Sequence, residues 1–178
     1  VRRHNTVTVA QSRATEQGVE LYPYLPLARK IETIRESKKG NLNHNSYLNS
    51  GSHLIGALAE VIVGEVLGLA PSLSDVIDNG FDFVLADGRT VDTKAATYYK
   101  SPDIKVPVTT TKWADLYILV SLNTDRMLGR VEGYATKEEV QRAPVKTYGT
   151  DSRYGKNFAI GRNALHPLHE LLQIKGEV

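Results

Sequence analysis

The 178-residue chain has no cysteine. Disulfides and thiolate metal sites are therefore excluded, and any metal must be held by oxygen or histidine ligands. No glycine-rich phosphate loop occurs, which leaves no specific nucleotide-binding reading. A membrane-length apolar run is also missing. The longest such run, Leu54 to Leu69, contains Glu60 and Glu65 and falls short of the roughly 20 residues a bilayer requires. No internal repeat, low-complexity segment or secretory leader is visible, so a soluble, cytoplasmic protein with no membrane partner is the expectation. Hydrophobic residues at 41% and charged residues at 24% fit a globular chain able to bury its own core, and one domain over residues 1–178 is expected.

Net charge is only +2, but it is unevenly spread. Residues 1–40 carry eight Lys/Arg against four Asp/Glu, residues 41–100 three against seven, and residues 101–178 eleven against nine. An acidic centre thus lies between two basic flanks. Basic flanks can grip a polyanion while an acidic centre holds a cation; solvated helix faces would leave the same pattern.

The element pattern is mixed. Residues 1–50 read as an irregular arm followed by a helix from Leu27 to about Lys38, with Ile31 and Ile34 as its apolar contacts. Gly40 to Ser52 reads as a loop, with Ser52 the N-cap of a long helix ending near Gly68. Strands are expected at Phe81–Leu85, Thr90–Ala95, Leu116–Ser121 and Arg130–Ala135. Thr136-Lys137-Glu138-Glu139 has capping-box spacing, and a last helix is expected over Ala164 to Ile174 with Pro167 in its first turn. These elements predict an α/β sandwich around one small mixed sheet.

Counting fixes the register of the central hairpin. A two-residue Asp87-Gly88 loop would put Asp82 and Asp92 on opposite faces. A three-residue Ala86-Asp87-Gly88 loop places Gly88 where a left-handed residue is needed, and sets Asp82 across from Asp92 with Lys94 on the same face. The apolar pattern favours this second register, because Phe81, Phe83, Leu85, Val91 and Ala95 then share the other face. Opposed carboxylates destabilise a sheet unless neutralised, and a bound cation is one neutraliser. Two solvent-facing aspartates are the bland alternative.

Glu60 lies in a helix that is apolar on most sides, in a stripe with Ala57, Gly64 and Leu67. A glutamate there needs a partner if buried. Glu65 lies well round the helix and reads as the solvated one.

Glu60 on a helix, Phe81-Asp82, and Asp92-Thr93-Lys94 together resemble the PD-(D/E)XK nuclease superfamily. The resemblance covers roughly residues 52–145, with residues 146–178 as a C-terminal basic segment and helix. The strand around Trp113 to Val120 and the helix opened by Thr136 look like its later core elements. Phe81 replaces the motif's proline, a mild departure because that residue ligates nothing. The resemblance implies a restriction-endonuclease-like fold, a small mixed β-sheet flanked by helices. It also implies a Mg²⁺-dependent deoxyribonuclease, with Mn²⁺ able to substitute. Asp82, Asp92 and the Thr93 carbonyl would ligate the ion, Glu60 a metal-bound water or second ion, and Lys94 would orient the attacking water or stabilise charge on the phosphate. With two acids and a cation around it, Lys94 is expected to stay protonated.

Tyr98, Lys100, Lys112, Arg153, Lys156 and Arg162 are candidate DNA contacts, since aromatic and basic side chains stack on bases and pair with phosphates. Trp113 reads as core. His166 and His169 have helical spacing but no further ligand close in sequence, so no zinc site is expected. Partners implied are DNA and, as for many double-strand cutters, a second copy of the chain; the general character suggests a virus- or mobile-element-encoded enzyme. The alternative is a restriction-like fold without catalysis, serving as a nucleic-acid-binding or assembly module. A weaker third reading is another α/β enzyme in which the D-x-K triplet is coincidental.

Overall fold

The structure, a computed structural model, describes residue 14 and residues 18–38, 50–71, 80–97, 102–148 and 155–173. Two helices lead. Helix α1, Leu25–Lys38, follows a 3-10 turn at Tyr22–Tyr24. Pro26 falls in its first turn, where a missing N–H costs nothing. Helix α2, Ser50–Leu67, starts two residues before Ser52, so Ser52 lies inside the helix and is not its N-cap. Its C-terminus matches expectation. Gly68 takes a left-handed φ of +67°, the Leu69 N–H donates to the Gly64 carbonyl at 2.8 Å, and the Gly68 N–H donates to that of Glu65 at 3.1 Å. That pair of bonds is a Schellman closure.

Five strands form a mixed sheet: β1 Val19–Glu20, β2 Phe83–Val84, β3 Thr90–Ala96, β5 Leu116–Asn123 and β6 Leu128–Thr136. Their order is β1-β6-β5-β3-β2. Only β3 and β5 run parallel; the other neighbours are antiparallel. A second, antiparallel sheet has the order β4-β8-β7, from β4 Asp103–Pro107, β7 Val145–Thr147 and β8 Lys156–Gly161. The sequence reading anticipated one sheet, so this second sheet is an addition to it. Helix α3, Lys137–Arg142, opens with the expected capping box: the Thr136 hydroxyl accepts from the Glu139 N–H at 3.3 Å, and the Thr136 N–H donates to Glu139 at 2.8 Å. Helix α4, Leu168–Gln173, begins after Pro167 and not at Ala164. Arg162–Ala164 forms a separate 3-10 turn, and His166 bridges to Tyr134, pulling the backbone off a helical path.

Alternation along β5 divides the interior in two. Leu116, Ile118, Val120 and Leu122 join Ala28, Ile31 and the buried residues of α2 in one core. Tyr117 and Leu119 face the other way, into a second core with Ile104, Val106, Ile160 and Val140. Helices α1 and α2 therefore cover one face of the large sheet, and the small sheet with α3 covers the other. Strand β5 is buried along nearly its whole length, as expected of a parallel-paired central strand covered on both faces. No helix among the described residues is long and apolar enough to cross a membrane.

Candidate active site

The hairpin has the three-residue loop. Phe83 pairs with Val91 and Val84 with Thr90; the Gly88 N–H closes the turn on the Leu85 carbonyl at 3.0 Å, and Gly88 has a φ of +87°. This is the loop length the apolar pattern required; the pairing stops at Phe83, and the Asp82 N–H donates to the Val91 carbonyl at 2.7 Å, which brings Asp82 to the β3 edge without pairing it with Asp92. Phe83, Leu85 and Val91 are buried in the helix-side core. Two members of the expected apolar face depart from it. Phe81 packs in the other core beside Trp113 and Phe158, because the chain leaves the sheet before Phe83 through Gly80, whose φ is +82°. Ala95 is exposed; among the described residues the cover over Val91 does not extend to it.

Since β2 begins only at Phe83, the next bond along the β3 edge has no strand to receive it. The Asp82 side chain takes that place, its Oδ2 accepting the Thr93 N–H at 2.7 Å, while the Asp82 N–H donates to the Val91 carbonyl at 2.7 Å. Within a strand the N–H and C=O of one residue point to the same edge. The Thr93 carbonyl is therefore directed at the edge where Asp82 stands. Burial raises the Asp82 pKa above its ordinary value, with the Thr93 N–H, Arg35 and Lys94 acting against it.

Asp92 and Lys94 project from the face of β3 opposite α2, over the β5 positions Tyr117 and Leu119. The Lys94 ammonium lies 2.6 Å from Asp92 Oδ2 and 5.9 Å from the centre of the Tyr117 ring. Tyr117 is itself fixed, its hydroxyl accepting the Ala114 N–H at 3.3 Å. Burial pushes the Tyr117 phenol up to about 12, so it stays neutral and holds Lys94 through its ring.

Glu60 is 6% exposed, in the stripe with buried Ala57, Gly64 and Leu67, whereas Glu65 is exposed. Its partner is Arg35, a residue the sequence reading did not single out. Arg35 Nη1 and Nη2 each donate to one Glu60 oxygen, both at 2.7 Å, in the two-pronged geometry that suits guanidinium and carboxylate. The signal was present in the sequence. Ala28, Ile31 and Arg35 stand three and four residues apart, so the α1 stripe that buries Ala28 and Ile31 carries Arg35 on toward α2. The two partners shift for different reasons. Arg35 is raised because its hydrogen bond to Glu60 outweighs its own burial. Glu60 is raised to about 7 because loss of water outweighs Arg35, with the charges of Asp82 and Asp92 adding to the rise. The fork geometry is that of an ionised pair held under strain from desolvation, and the upward direction for Glu60 follows from its burial.

The site thus gathers Glu60, Asp82, Asp92, Thr93, Lys94 and Arg35 around the edge where β2 begins. In kind, its donors fit a hard divalent cation: carboxylate oxygens and one backbone carbonyl, with their like charges acting on one another. In arrangement, no three His, Asp or Glu side chains among the described residues form a ready-made cage. Mg²⁺ commonly binds through one or two carboxylates and keeps several waters, and Asp82, Asp92 and the Thr93 carbonyl meet that requirement.

Of the candidate DNA contacts, Lys112 packs against Gly80. A Cβ on Gly80 would stand 2.6 Å from Lys112 Cβ, so the absence of a side chain at Gly80 lets the Lys112 segment pack two residues from Asp82. Lys156 opens β8 in the second sheet. Arg162 follows β8 and faces Glu132 at 4.0 Å. Glu132 belongs to a buried polar group unforeseen from sequence: the Ser121 hydroxyl donates to it at 2.5 Å, and Arg130 through Nε and Nη2 at 3.0 and 2.9 Å. A register shift between Leu119 and Val120 lies beside this group. Tyr98, Lys100 and Arg153 lie outside the described residues.

Compared with known proteins, the sequence matches no protein-family model and no curated protein.

Proposed function

We propose that this protein is a Mg²⁺-dependent endonuclease that hydrolyses phosphodiester bonds in DNA, using a restriction-endonuclease-like site. The observation that carries the reading is the hairpin register. Its three-residue loop supports the reading by bringing Asp82 to the β3 edge, where Oδ2 accepts the Thr93 N–H at 2.7 Å, beside the strand on which Lys94 lies 2.6 Å from Asp92; the Asp82 and Asp92 charges act on Glu60. A divalent ion held by Asp82, Asp92 and the Thr93 carbonyl would supply Lewis-acid polarisation of the phosphate and a more acidic water. The protein residues do the rest. Lys94 presents a cation on the Asp92 face, where it offsets negative charge developing on the phosphate. Glu60, positioned by Arg35, accepts a hydrogen bond from the attacking water. Lys112, beside Gly80, neutralises a flanking phosphate. A homodimer that brings two such sites to the two strands of a duplex belongs to the same proposal.

One observation favours a second reading. Each carboxylate already has a protein partner: Arg35 for Glu60, the Thr93 N–H for Asp82 and Lys94 for Asp92. A restriction-like module that binds nucleic acid without cutting it would tolerate such a closed set. Incubation with supercoiled, linear, single-stranded and branched DNA in Mg²⁺, Mn²⁺ or EDTA separates the two. Metal-dependent cleavage lost in Asp92→Ala supports the nuclease. Binding of DNA with no cleavage on any substrate supports the module and rejects the nuclease.

A further inference from the structure

Arg35 reaches the site from outside the hairpin, along the α1 stripe that continues from Ala28 and Ile31. Its fork engages both oxygens of Glu60 at 2.7 Å, and the Asp82 charge acts on the same guanidinium. The Glu60 side chain is 8% exposed and that of Arg35 36%, so the carboxylate is buried while the guanidinium is partly open to solvent. A guanidinium does not lose its proton in a protein and has no lone pair to offer a metal. While it holds Glu60, a second cation on those oxygens meets a fixed positive charge in a poorly screened place.

We infer that Arg35 is the resident counter-cation of the Glu60 side of this site, so that the chain takes one divalent ion, at Asp82 and Asp92, and Glu60 acts on the attacking water and is not a metal ligand. The inference rests on the nuclease reading for the presence of that ion and deepens it. Arg35 fills with the protein's own charge the place a second ion would occupy. A neutral residue at position 35 should open that place.

The test counts bound ions directly, by Mn²⁺ electron paramagnetic resonance and calorimetry on the full chain without DNA. Wild type should bind one Mn²⁺ per chain, lost in Asp92→Asn. Arg35→Met should bind two, and Arg35→Met/Glu60→Gln should return to one. Arg35→Lys, which keeps a cation, should bind one. If Arg35→Met fails to fold, the double variant, which removes both charges, and Glu60→Gln alone still decide. On the inference neither changes the count of one, and a wild type binding two ions with one lost in Glu60→Gln overturns it. One ion in a folded Arg35→Met also overturns it. A wild type that binds no divalent ion overturns the metal-dependent reading itself, an outcome distinct from a wrong count.

Discussion

Replacing Arg35 by methionine keeps most of the side-chain volume and removes the one charge that, among the described residues, engages both Glu60 oxygens in a fork. Glu60 is 6% exposed, so little water reaches it to replace the two lost hydrogen bonds. Breaking a fully buried pair by deleting one partner costs about 3–5 kcal/mol. Because the Arg35 side chain is 36% exposed, part of its charge is already screened, which brings the expected loss to about 2–3 kcal/mol. For a chain of this length each kcal/mol moves the melting temperature by roughly 2–4 °C, so a fall on the order of 5–10 °C is expected at pH 8 in EDTA. The pH dependence has a definite sign. Glu60 is raised from 4.5 to about 7 in the folded protein, so its contribution to stability is full below the unfolded value and is lost as pH rises through about 7. Without Arg35 the folded value rises further, and stability should still be falling between pH 7 and 9. Thermal melts of wild type and Arg35→Met across pH 5–9 read this directly. A variant as stable as wild type at pH 8, or a deficit that does not shrink toward pH 5, would refute the reasoning.

Other perturbations probe different links. Lys94→Ala should lower cleavage by roughly 10²–10³-fold, the usual cost of one charge-stabilising group, and leave folding intact by circular dichroism; unchanged turnover would remove Lys94 from the mechanism. Gly80→Ala forces a φ of +82° on a side chain whose Cβ would stand 2.6 Å from Lys112 Cβ. A stability loss of at least about 1–2 kcal/mol with weaker DNA binding should follow, measured by urea melts and fluorescence anisotropy. Asp115 accepts the Thr90 N–H and hydroxyl at 2.8 Å each, pinning the starts of the parallel strands β3 and β5, and those bonds, the backbone one first, lower its pKa. Asp115→Ala should cost about 1 kcal/mol at neutral pH. That cost should fade as pH drops below the ordinary carboxylate value toward the lower folded one, and a pH-independent difference would argue against the assignment.

Several elements were legible because their signals are local. The hairpin loop length, the Schellman glycine at Gly68 and the capping box at Thr136 each depend on residues within a few positions of one another, and the structure has all three. The stripe of Ala57, Glu60, Gly64 and Leu67 is buried as its helical spacing implied. The second sheet was not legible. Strands β4 and β8 pair although their partners lie 50 to 58 residues apart in sequence, Asp103 with Gly161 and Pro107 with Asn157, and β7 is exposed at every position, so no alternation marked it. Ser52 looked like an N-cap because its hydroxyl precedes an apolar run, yet the helix begins at Ser50. Pro167 looked like a first-turn residue, but the bridge from His166 to Tyr134 places it before α4. Arg35 was missed for a different reason: a buried glutamate demands a partner without saying which of the several cations on the preceding helix supplies it. Only the stripe from Ala28 through Ile31 selects Arg35.

The central claim is that the Asp82, Asp92 and Lys94 constellation cleaves DNA with a divalent ion. Its most direct test is the rate of plasmid nicking against Mg²⁺ concentration for wild type and Asp92→Ala purified alike. Saturable, EDTA-sensitive nicking by wild type that is absent in Asp92→Ala is the predicted result. Nicking that survives in Asp92→Ala, or a folded wild type that cuts no DNA at any Mg²⁺ or Mn²⁺ concentration, would contradict it.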